Sequence, residues 1–95
     1  MDVDALSKTG IGLAQDLEEL SKSYNVRSDA HDILGYEAAT VRAEALDLIN
    51  GTGVPKNIRE STLLSAWGNT LASQIPEMAI RVSEFHRQYR DAKNT

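Results

Sequence analysis

Asn50-Gly51-Thr52-Gly53-Val54-Pro55 divides this 95-residue chain almost at its midpoint. Asn or Gly suits the left-handed residue that closes a helix. Pro55 suits the first turn of a new helix, where its missing N–H costs nothing. Both flanks are periodic at helical spacing. The stretch therefore predicts an all-α fold: an antiparallel helical hairpin, or a small three- or four-helix bundle, with its main turn at Asn50–Pro55.

Upstream, two stripes carry the periodicity. Leu6, Leu13, Leu17, Leu20 and Tyr24 recur at 7-4-3-4 spacing, which is one face of a helix. Leu34, Ala38, Val41, Ala45 and Leu48 follow at 4-3-4-3, a heptad seam that Ile33 and Ile49 widen. Between them the apolar positions lapse at Asn25-Val26-Arg27-Ser28, and Ser28-Asp29 reads as an N-cap and first turn. A fold-back there, giving a three-helix bundle, is the structural alternative. Gly10 and Gly12 weaken the first helix, so each marks a bend or a close backbone approach.

Downstream lies the longest seam: Leu64, Trp67, Leu71, Ile75, Met78, Val82, Phe85 and Tyr89. Its phase survives Pro76, which predicts a kinked continuous helix from about Pro55 to Asp91. A short break at Gln74–Pro76 is the alternative. Eight apolar positions face a shorter, Ala-rich stripe, so the fold should need a second chain to complete its apolar face. Leu64, Trp67, Leu71, Met78, Val82, Phe85 and Tyr89 are the expected partner-binding residues. Trp67, at the centre, is either core or an interface hot spot.

Composition narrows the function. Hydrophobic residues make up 41% and charged residues 25%, a globular balance that argues against disorder. Residues 1–95 read as one helical domain. With no cysteine, disulfides and thiolate zinc sites are excluded. The net charge of −4 suits phosphate binding poorly, so no nucleic acid is expected. No stretch is apolar enough for a membrane span. The acidic opening Met1-Asp2-Val3-Asp4 is unlike a signal peptide, and the expected compartment is cytoplasmic. Charge is uneven: residues 1–50 carry net −6 and residues 51–95 net +2, so the halves attract if they pack together.

Candidate chemistry is sparse. Asp29, His31 and Asp32 resemble a weak cation cluster but read as a helix start with acids near the positive end of the dipole. His86, one step off the seam, reads as exposed. Glu37 and Glu44 read as surface acids. Gly51-Thr52-Gly53 lacks the Lys of a phosphate loop. The chain is therefore expected not to be an enzyme and to have no cofactor.

Two local stretches carry a family resemblance. One is Val3-Asp4-Ala5-Leu6 leading into Leu13-Ala14 and Leu17. The other is Leu64-Ser65-Ala66-Trp67-Gly68-Asn69-Thr70-Leu71, running on to Phe85, Tyr89 and Asp91. With two heptad-bearing halves and a midpoint turn, the chain resembles the small helical-hairpin proteins of type VII (ESX-type) secretion. It departs from them in carrying Asn50-Gly51-Thr52-Gly53 where the family has Trp-x-Gly, and Lys93 where the family's export motif has an acid. The resemblance implies a homo- or heterodimeric helical partner protein with signal-peptide-independent export. An intracellular regulator, such as an antitoxin, an immunity protein or a phage-encoded inhibitor, is the alternative. Acidity would suit blocking a basic target.

Overall fold

A computed structural model of the chain describes residues 2–55 and 72–94; Leu64, Trp67 and Leu71 lie outside them. The described residues hold helices and no strand. Helix α1 spans Val3–Lys22, α2 spans Asp29–Asn50 and α3 spans Pro76–Lys93, with one helical turn at Ala72–Gln74.

Each helix begins and ends where its local chemistry dictates. Asp2 caps α1, its carboxylate accepting from the backbone N–H groups of Asp4 and Ala5 at 3.0 and 3.2 Å. The link at 23–28 is built by its polar side chains: the Arg27 N–H donates to Asn25 Oδ1 at 2.9 Å and the Ser28 hydroxyl donates to the Asn25 carbonyl at 2.7 Å. Ser28 then caps α2, accepting from His31 N–H at 3.2 Å. Gly51 closes α2 in the left-handed region, φ 65°, and donates to the Asp47 carbonyl at 2.8 Å. Gly51→Ala should cost about 1–2 kcal/mol, the penalty of a Cβ in that region. A urea melt showing no loss would contradict the cap assignment.

The expected continuous helix through Pro76 is not formed. Ile75 sits at φ −130°, ψ 66°, outside the helical region, and α3 starts at Pro76. The cause is local. Proline has no N–H to continue the ladder, and its ring drives the preceding residue out of α geometry. The heptad spacing of the sequence runs on across the break, which is why periodicity alone suggested continuity.

Helices α1 and α2 form an antiparallel hairpin about the 23–28 link, the reversal that the sequence offered as its alternative. Ser7 Oγ donates to the Ala45 carbonyl at 2.7 Å near one end, and Ser21 Oγ to the His31 carbonyl at 2.8 Å near the other. Between these ties, Leu13, Ala14, Leu17, Leu34, Ala38, Val41 and Ala45 are buried. Small residues let the backbones approach. Gly10 resolves in favour of close approach: a methyl built there would lie 2.6 Å from Phe85 Cζ and 2.8 Å from Ala45 Cβ. Ile33 joins the core as expected, but Ile49 does not and faces outward.

Helix α3 lies across the hairpin, antiparallel to α1 and parallel to α2. Val82, Phe85 and Tyr89 enter the core, and Met78 packs half-buried at its edge. The opposite charges of the two halves do meet. Arg81 pairs with Asp16 of α1 at 2.8 Å, and Lys93 with Asp47 of α2 at 3.1 Å.

Candidate functional site

Helix α2 turns its charges inward. Between Asp32 and Gly51 its charged residues are Glu37, Arg42, Glu44 and Asp47. The three acids are buried, at 3%, 8% and 2% exposure. Their 7- and 3-residue spacings align them along one side of the helix, facing α3. A buried carboxylate is costly unless paired and hydrogen-bonded. Helix α3 supplies the partners in register: His86, Tyr89 and Lys93, again spaced by 3 and 4.

His86 lies between the two glutamates, which corrects the expectations that His86 is exposed and that Glu37 and Glu44 are surface acids. Its Nε2 meets Glu37 Oε1 at 2.7 Å, and its Nδ1 meets Glu44 Oε1. The Nδ1–Glu44 contact is an ion pair by distance, and Glu44 Oε1 has no hydrogen-bond partner among the described residues. Burial alone pushes the imidazole pKa down. The contact with Glu37, and then that with Glu44, overcomes this and raises it to about 9. The ring is an imidazolium at neutral pH.

Asp47 ties three segments together. Its Oδ2 accepts from the Tyr89 hydroxyl at 2.5 Å and pairs with Lys93, while its Oδ1 accepts from Gly53 N–H at 2.6 Å. The Tyr89 bond is the main cause that holds the Asp47 carboxyl below its usual pKa. Burial opposes it, and Gly53 and Lys93 add to it.

The outward side of α2 is the reverse of this seam. Tyr36, Leu46 and Ile49 are 42%, 44% and 50% exposed. Ala39 and Ala43 lie half-buried between them. Asp32 lies at the N-terminal end of this side, and Arg42, beside it, is drawn onto Glu18 of α1 at 2.7 Å. A shallow groove of about 280 Å³ runs along His31, Asp32, Gly35, Tyr36 and Ala39. A solvated helix face normally carries charge; beyond Asp32 this one carries mainly apolar and small side chains, from Gly35 to Ile49.

The residues singled out from the sequence separate accordingly. Val82, Phe85 and Tyr89 are occupied by the chain's own hairpin. Met78 shares a groove with Leu20, Ile75 and Arg81. Asp29 and Asp32 sit in the first turn of α2, and His31 Nδ1 contacts Asp32 at 3.2 Å. The described residues contain no group of three or more side chains placed to hold a metal ion, and no helix long and apolar enough to cross a membrane. The buried seam and the outward α2 side were both missed. The only signals for them were the charge imbalance between the halves and the apolar Tyr36, Leu46 and Ile49 lying beside the second stripe.

Comparison with known proteins gives no match: no family model, no curated protein and no solved structure.

Proposed function

We propose that this protein is a helical interaction module that works by binding another protein chain, not by catalysis. The observation that supports this reading is the outward side of α2. It exposes Tyr36, Leu46 and Ile49 while the acids beyond the first turn of the helix, Glu37, Glu44 and Asp47, are spent on an internal seam. Depletion of charge with aromatic enrichment is the compositional mark of an interface core. The partner is a second copy or a different chain. A type VII secretion-like partner protein is the specific form that the sequence resemblance implies, and an intracellular regulator that blocks a target is the alternative.

Crosslinking from position 46, with and without Ala39→Glu, tests the reading, because neither side chain belongs to the buried core. A photo-crosslinker at position 46, in cells and in the purified protein, should yield a discrete adduct. The paired Ala39→Glu change should abolish it without lowering the melting temperature. A crosslinker at the exposed Glu19 of α1 serves as the control. A chain that stays monomeric at every concentration and gives no adduct from position 46 would overturn the proposal.

A further inference from the structure

We propose that α3 is a separately releasable element, latched by the proton that His86 holds between Glu37 and Glu44, and that removing this proton undocks α3 while the α1–α2 hairpin keeps its packing. The argument begins with the ring. A neutral imidazole has one N–H and one lone pair; only the imidazolium donates from both nitrogens. Here both nitrogens face carboxylate oxygens, Nε2 on Glu37 and Nδ1 on Glu44. Deprotonation at either nitrogen sets a lone pair against a buried anion. Closing the seam therefore captures a proton, and losing the proton opposes closure.

The surrounding charges do not replace it. On α2, the next acid is Asp47, already held by Tyr89, Lys93 and Gly53. On α1, Asp16 is engaged by Arg81 and Glu18 by Arg42. On α3 itself, Arg87 is tied to Glu84 and Asp91. Only His86 reaches both Glu37 and Glu44 among the described residues. The hairpin, in contrast, owns its ties: Ser7 to Ala45 and Ser21 to His31 involve no part of α3. Release of one helix with the rest intact is the behaviour of a cooperative subunit of structure.

The sign follows from linkage. His86 binds its proton more tightly when α3 is docked, so docking is strongest below the free imidazole value of 6.5 and weakens as pH rises, until its proton is gone above about 9. Between pH 6 and 9 the docking equilibrium should fall about 100-fold.

Amide hydrogen exchange on the full chain, corrected for intrinsic base catalysis, reads this directly. The expected result is that α3 amides from Val82 to Tyr89 lose about 100-fold in protection over that range, while α1 and α2 amides hold theirs. The midpoint should coincide with the His86 ring titration followed by NMR. His86→Arg places a permanent cation between the glutamates and should abolish the pH dependence. His86→Gln should give weaker protection of α3 and should remove the midpoint at about 9. Three results would overturn the proposal: the three helices losing protection together, a wild-type α3 indifferent to pH, or a His86→Arg chain that still releases α3 and so assigns the effect to Tyr89.

Discussion

Replacing Phe85 with alanine should remove about 3–5 kcal/mol of stability, the usual loss for a fully buried aromatic side chain. Phe85 is 2% exposed, and its ring lies in the space that Gly10 leaves open on α1. The ring is the largest fully buried side chain that α3 sets into the hairpin, so truncation leaves a cavity where it meets Gly10. In a domain of this size the loss is a large share of the total. Urea denaturation with circular dichroism would measure it. The converse substitution, Gly10→Ala, drives a methyl into the same ring and should cost about 1–3 kcal/mol as overpacking. Because the two sites touch, Gly10→Ala combined with Phe85→Leu should be less damaging than the sum of its parts. Strict additivity, or a Phe85→Ala chain with wild-type stability, would show that the socket is not formed.

The second large effect belongs to His86. His86→Leu should destabilise the protein by about 3–5 kcal/mol near neutral pH, because it leaves two buried carboxylates without a counter-charge. The chemistry, not the volume, is responsible, and that is testable. Adding Glu37→Gln and Glu44→Gln to His86→Leu removes the stranded charge and should recover most of the loss. His86→Leu alone should gain stability as the solution is acidified, since a buried unpaired carboxyl prefers its neutral form. Thermal melts of the single and triple variants across mildly acidic to neutral pH would decide. If His86→Leu melts like the wild type throughout, the imidazolium does not carry the seam.

Much of the fold was legible because helix formation is local. The Leu6–Tyr24 and Leu34–Leu48 stripes point to buried faces by spacing alone, and the cap residues Ser28 and Gly51 mark ends that the backbone cannot satisfy internally. Pro76 shows the limit of that logic. The spacing in the sequence runs unbroken through Ile75, which is not helical, so a periodic seam does not certify a continuous backbone. Gly10 shows another. From sequence a helical glycine means either bend or approach, and only the position of Phe85 selects approach.

By itself, then, the sequence determined an all-α chain, the helix boundaries at Ser28 and Gly51, the apolar stripes, and two halves of opposite charge. Only the tertiary structure decided that the reversal at 23–28 builds the α1–α2 hairpin, that Glu37, Glu44 and Asp47 are buried against His86, Tyr89 and Lys93, and that Tyr36, Leu46 and Ile49 of α2 face outward. The physical reason is that a charged residue on a helix is solvated by default, and its cost of burial is offset only by a partner far away in sequence. His86 lies 49 residues from Glu37. No periodicity within either helix records that pairing; it exists only once α3 is laid on α2 in register.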